Sequence, residues 1–414
     1  MSGARQQRVR GARQPASEAL ADGAGERQQR LALAMRRDER LMRAVHPLAY
    51  PLLQAVPGPV RRVPGLGVVV KDAALVRQVL LDGDGFSKEG RGASSDLWTP
   101  VLGARVLVNM HGDDHRALRR RLAPIFAPAF VEPLARQALG PGVAELERRL
   151  LAGERVDLAR YARRAASSAI ALLVGLEREA VDDRLFQQIA GITGMVRLSR
   201  PTLTPAQVRS ARAVLDELGE HAATAYRGDE STVPGRLRGL GLSEDEALGA
   251  VGAFLLTGTE TVAAAIPRIV ALLVDSGTLR ETAEDDAAER AIAEGLRWTT
   301  PTPVMLRSTT AARRLGRVAV APGDRVILAT YAADRAAGGF DPASDRAAAL
   351  KQLWFGAGSH FCIGAPLAMA EIRLVLAALR RVEAASSGIR IAGRAPARRQ
   401  LLAGYARLEL EADR

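Results

Sequence analysis

From about Leu31 onward, apolar residues recur chiefly at three- and four-residue spacing, the period of helices that bury one face. In "DDHRALRRRLAPIF" the apolar positions Leu118, Leu122 and Phe126 are four apart, with arginines on the other faces. Val143 to Leu151 and Arg160 to Leu176 predict further amphipathic helices. Strand patterns are short. They sit at "VVVKD" (Val68 to Asp72) and at "RVAVAPGDRVILAT", two alternating runs about Pro322-Gly323-Asp324 that predict a hairpin. Helical segments far outnumber strands, do not alternate with them as a Rossmann fold requires, and show no repeat period.

The longest helical pattern is "SEDEALGAVGAFLLTGTETVAAAIPRIVALLVDSG". Ser243 followed by Glu246 is a capping-box start, and about 30 residues to Gly277 make a helix of roughly 45 to 50 Å. Its middle is apolar on all faces, which predicts a path through the core. "TGTET" interrupts that middle with Thr257, Gly258, Thr259, Glu260 and Thr261. Glycine weakens a helix by about 1 kcal/mol, and a buried carboxylate is costly unless something binds it. A helix ending at Gly258 with a second starting at Thr259 is the alternative. The apolar pattern resumes at once, which favours one element.

The chain has 414 residues, enough for two or three average domains or one large one. Residues 1–30 are polar and basic without hydrophobic periodicity, and they predict a disordered tail ahead of a single domain over 31–414. The net charge of +12 is almost all arginine, since lysine occurs only at Lys71, Lys88 and Lys351. The arginines are scattered among acids, with no aromatics interleaved as single-strand binders use, so no nucleic-acid partner is expected. Neither a membrane span nor the apolar stretch of a secretory signal is visible, and a cytoplasmic monomer is the simplest expectation.

Cys362 is the only cysteine, which excludes an intramolecular disulfide framework and a multi-cysteine zinc site. It lies in "FGAGSHFCIGAPLAMAEI", between glycines and before an apolar helical run. Backbone N–H groups at a helix start favour a thiolate. Gly356 and Gly358 permit the tight turn that would present sulfur, and Pro366 suits a first helical turn. One thiolate suits a single axial bond to haem iron. Taken alone, a solitary cysteine is more often a small core residue. A cysteine hydrolase would need a histidine base, and His46, His111, His115, His221 and His360 carry no recognised signature.

The composite motif decides between these readings. "FGAGSHFCIG" resembles the haem-binding loop of the cytochrome P450 family, Phe-Gly-x-Gly-x-[His/Arg]-x-Cys-x-Gly, and Phe355, Gly356, Gly358, His360, Cys362 and Gly364 match it. "LLTGTETV" resembles the family's oxygen-activating helix motif through Gly258, Glu260 and Thr261, with Thr257 where alanine is commoner. Glu294 and Arg297 match the Glu-x-x-Arg motif, and Arg346 in "FDPASDR" resembles the arginine completing that triad. "DDHRALRR" resembles the helix that carries His115 and Arg119 to the haem propionates. Arg307 and His360 resemble the remaining propionate partners. The resemblance runs from about Val45 to the end.

The resemblance implies a mainly α fold with small β-sheets, the P450-type helical fold around a buried haem. It implies haem b bound through Cys362, with Phe355 shielding the sulfur and with Glu260 and Thr261 handling protons on the opposite face. The implied reaction is monooxygenation of a small apolar molecule by O2, by hydroxylation or epoxidation, in bacterial secondary metabolism. Electrons would come from NAD(P)H through a separate ferredoxin and ferredoxin reductase. By family order, substrate contacts fall on Trp98, Phe254, Thr257, Pro303, Val304 and Leu402, with Arg197 nearby in sequence. A peroxide-driven peroxygenase and a non-catalytic haem sensor are the alternatives.

Overall fold

A computed structural model describes residues 14–175, 183–196, 202–228, 230, 232–398 and 400–413. The first third of the chain forms α1 (Gln14–Val45), α2 (Ala49–Ala55), strands β1 (Val60–Val63) and β2 (Gly67–Val70), α3 (Ala73–Leu81), β3 (Phe86–Ser87), α4 (Ser94–Leu102) and α5 (Gly112–Leu122). Helices follow almost without interruption: α6 (Pro128–Leu151), then α7 (Leu158–Leu173) behind β4 (Val156–Asp157), α8 (Asp183–Thr193), α9 (Pro205–Arg227), α10 (Val233–Gly239), α11 (Glu244–Ser276) and α12 (Asp285–Thr299). The last part mixes β5 (Met305–Thr309), β6 (Arg313–Leu315), β7 (Val318–Val320) and β8 (Arg325–Leu328) with α13 (Thr330–Arg335) and α14 (Arg346–Ala349). It ends on α15 (Ala365–Ala385), β9 (Gly388–Pro396) and β10 (Tyr405–Asp413). The mainly α expectation holds.

Helix α11 is the axis of the molecule. Its 33 residues run unbroken from the capping box of Ser243 and Glu246 to Gly277, which caps the far end at φ 69°. The break considered at Gly258 does not occur. There a β-carbon would lie 2.5 Å from Ile170 Cδ1 of α7, so glycine is the price of close helix packing. Among the described residues α11 is the one helix long and apolar enough to cross a membrane, and most of it is buried inside the protein.

The N-terminal helix reaches further back than the polar composition of residues 1–30 predicts. Arg27 on α1 pairs with Glu281 and Asp341, each at 2.9 Å, so this part of the expected tail is docked. Residues 1–13 lie outside the described residues. Deeper in, Asp38 of α1 is buried against Arg268 of α11 (2.8 Å) and Arg335 of α13 (2.6 Å), and it accepts from Trp298 Nε1 at 3.1 Å. Burial opposes its ionisation, yet the two guanidiniums hold the Asp38 carboxyl below its ordinary range.

The main sheet has strand order β1-β2-β8-β5-β3. The expected hairpin about Gly323 is not formed. The arms belong to different sheets: β7 pairs with β6, while β8 pairs with β2 in parallel and with β5 antiparallel. Local alternation marks both runs as strands but cannot name their partners.

The Glu-x-x-Arg motif is realised on α12 with both side chains wholly buried. Arg297 meets both carboxylate oxygens of Glu294 at 2.6 Å. Its remaining N–H groups donate to the carbonyls of Asp334 (2.7 Å), Gly338 (3.0 Å) and Gly339 (2.9 Å). Arg346 does not complete the pair as expected. It is exposed and donates to the Gly339 carbonyl at 3.1 Å, while the Asp341 N–H takes the Glu294 oxygen at 3.0 Å. Arg346 therefore touches the same turn as Arg297, not the carboxylate.

Candidate active site

The cysteine loop is built by its backbone. Phe355 ends a 3-10 turn, Gly356 and Gly358 take φ values of 84° and 68°, and the Cys362 N–H donates to the Phe355 carbonyl at 2.9 Å. A β-carbon on Gly358 would lie 2.7 Å from the Leu80 carbonyl oxygen of α3. Gly358→Ala is therefore expected to cost about 1–3 kcal/mol through backbone strain. Thermal denaturation of the holoprotein reads this as a lowered midpoint, and an unchanged midpoint would contradict the packing.

Gly364 N-caps α15, and the N–H groups of Gly364 and Ala365 point at the sulfur. Burial pushes the Cys362 thiol up, while those N–H groups and the nearby Arg119 and Lys88 charges favour thiolate. The Cys362 side chain is nevertheless open to contact. A group that is both deep and open faces an internal space.

Around that space stand cations with no carboxylate among the described residues to pair them. Lys88 follows β3, Arg119 lies on α5, and Arg307 lies on β5, where among the described residues its guanidinium donates only to the Leu306 carbonyl at 2.8 Å. Burial first, and then the Arg307 charge, lowers Lys88 to about 7, and burial lowers Arg307 to about 10. His115 and His360 lie ring to ring at 4.0 Å, and the Nδ1 atom of each is buried without a partner among the described residues. Burial pulls His115 down to about 4, and burial with the Lys88 charge lowers His360 further.

Lys88 and His111 were not predicted. Lys88 carries no motif, though it is one of three lysines, and only the β3–β5 pairing brings it here. His111 places its Nε2 2.8 Å from the Gly83 carbonyl, so that nitrogen donates. Its Nδ1 then accepts from His360 Nε2 at 3.0 Å. His111 thus sets the orientation of His360.

Helix α11 carries an open face within its buried length. Thr257, Thr261 and Ala264 share one helical face and are open, although most of that helix is buried. The Thr261 hydroxyl donates to the Thr257 carbonyl at 3.1 Å, which leaves its oxygen lone pairs as acceptors. Glu260 points elsewhere. It is buried toward α8 and accepts from the Thr193 hydroxyl, which also lies 3.1 Å from the Ala190 carbonyl. Burial pushes Glu260 up to about 7, with the Thr193 bond opposing. Beside it lies a cavity of about 20 Å³ lined by Arg163, Glu260, Ala264, Gln400 and Leu402, room for one water.

Of the expected substrate contacts, Thr257 lies on the open face of α11 and Leu402 borders the small cavity. Trp98 and Val304 are partly buried at the edges of the core. Phe254 packs on Phe126 with centroids 5.0 Å apart, and Pro303 is buried with its carbonyl accepting from the Tyr331 N–H at 3.2 Å. Arg197 lies outside the described residues.

These residues fit haem b: one sulfur for iron, and five basic side chains for two carboxylates. Lys88→Ala and Arg119→Ala should each speed haem loss to an acceptor globin by about tenfold, the equivalent of one charge-assisted hydrogen bond. Equal transfer rates would remove them from the cradle.

No protein-family model matches the chain. The C-19 steroid 1alpha-hydroxylase of Sorangium cellulosum is 29% identical over 290 residues, 66% of this chain and 72% of that protein. Cytochrome P450 107B1 of Saccharopolyspora erythraea is 30% identical over 296 residues, 68% of this chain and 70% of that protein. Among solved structures, a mutant of P450 EryK in complex with erythromycin B matches with a TM-score of 0.72 and 25% identity. That match covers 88% of this chain and 97% of the other.

Proposed function

The chain belongs to the cytochrome P450 family, and from that premise we propose that it hydroxylates or epoxidises a small apolar molecule with O2. One oxygen atom enters the product and the other leaves as water, at the cost of two electrons and two protons. Electrons arrive from NAD(P)H through a ferredoxin and its reductase. The observation that supports this reading most is the Cys362 sulfur beside the unpaired Lys88, Arg119 and Arg307 cations and the unpartnered Nδ1 atoms of His115 and His360.

Haem b, when bound, supplies the redox chemistry that activates O2. The chain supplies the rest. Cys362 is the thiolate donor, and Lys88, Arg119, Arg307, His115 and His360 hold the two carboxylates. His111 orients His360. Thr261 offers a hydroxyl oxygen at the open face, and Glu260 stores a proton behind it. The named relatives include a steroid hydroxylase, which accords with an apolar substrate and leaves its skeleton to the wall around Thr257.

A library of apolar natural products, screened by spectral shift on the ferric holoprotein, identifies the ligand. Turnover under ¹⁸O2 with ferredoxin and reductase should then place one labelled atom in the product. Product carrying oxygen from water alone would overturn the reading.

A further inference from the structure

A cavity of about 600 Å³ lies between α4, α9 and α11, within the range that holds a small molecule. Its floor is apolar, with Leu102, Leu215, Leu248, Val251 and Leu255. On α11 these contacts form a stripe with Gly252, whereas Phe254, Thr257, Thr261 and Ala264 form another. At 3.6 residues per turn the two stripes point roughly 150° apart. The cavity is therefore on the far side of α11 from the open threonine face.

Its rim is acidic in a chain of net charge +12. Asp216 and Glu220 on α9 and Asp245 at the start of α11 are exposed. No hydrogen bond or ion pair engages their side chains among the described residues. The one cation among the lining residues, Arg212, has its Nε donating to the Pro100 carbonyl at 2.8 Å. Glycines also line the walls: Gly219 on α9, and Gly249 and Gly252 on α11. A β-carbon on Gly219 would meet nothing within 4 Å, and one on Gly252 would reach Leu102 only at 3.6 Å. Gly219 and Gly252 thus help keep the space open, whereas a β-carbon on Gly249 would lie 3.0 Å from Val106 Cγ1, so that glycine serves packing.

We propose that this cavity is a second ligand site, for a cation with an apolar body such as an alkylammonium or quaternary ammonium compound. The carboxylates attract the head and the leucines cover the body. Its α11 lining lies on a different face of that helix from Thr257 and Thr261.

Decyltrimethylammonium, which cannot ligate iron, is compared with decanoate and decanol by calorimetry on the holoprotein with imidazole saturating the iron. The cation should bind about tenfold tighter than decanoate at low salt, three exposed charges each adding a modest share. Rising salt should shrink the difference. D216N/E220Q/D245N should abolish it, and G252W should block binding. A223W on α9 replaces G252W if that variant does not retain haem. Equal binding of the three probes, a preference surviving the triple variant, or binding abolished by imidazole would each overturn the site.

Discussion

Cys362→Ser is expected to fold, to lose the thiolate-type shifted band of the reduced carbon monoxide complex, and to form product at least about 10³-fold more slowly, equivalent to roughly 4 kcal/mol of barrier. The fold should survive because the loop is held by its backbone. The Cys362 N–H bond to Phe355 and the φ of Gly358 do not involve sulfur. What changes is the donor: an alcohol holds its proton far more tightly than a thiol, so the Gly364 and Ala365 N–H groups no longer have an anion to stabilise. Far-UV circular dichroism and haem content, measured beside the carbon monoxide spectrum, separate loss of ligation from loss of structure. A serine variant that kept the shifted band would remove Cys362 as the ligand.

Features that a short window of sequence determines were legible. Helix α11 follows from its capping box and apolar middle, and the cysteine loop from its glycines and the proline beyond. Features that need two distant segments to meet were not. Lys88 reaches the cradle because β3 pairs with β5, and nothing in "FSKEG" states that pairing. His111 earns its place only through contacts with Gly83 and His360. The hairpin about Gly323 fails for the same reason, since alternation fixes which residues face the core but not which strand lies alongside. Arg346 sits in a segment of the right composition, yet the Asp341 N–H occupies the carboxylate oxygen it was expected to reach. Glu260 was expected beside a threonine of its own helix; its partner is Thr193 on α8.

That last contact carries the second large effect. Burial raises Glu260 from its ordinary value of 4.5 to about 7, so near neutrality the folded protein holds a proton there that the unfolded chain has lost. Stability must then fall as pH rises from the carboxylate range toward about 7, because the unfolded state binds fewer protons over that interval. If the stored proton serves turnover, product per NAD(P)H consumed falls with rising pH through the same region. Glu260→Gln keeps a hydrogen-bonding group at Thr193 but cannot release a proton. It should lower product formation about 10²-fold, the lower end for a positioned acid, flatten that pH dependence, and lose less stability than wild type between pH 5 and pH 8. Thr193→Val should act in the opposite sense on the titration. The Thr193 bond lowers the Glu260 value, so its removal moves the midpoint of the coupling profile to higher pH. A Glu260→Gln enzyme that kept both the rate and the pH profile of wild type would show that the proton comes from elsewhere. A Glu260→Gln enzyme that was slow but kept the profile would leave Glu260 a positioning role and assign the titration to another group.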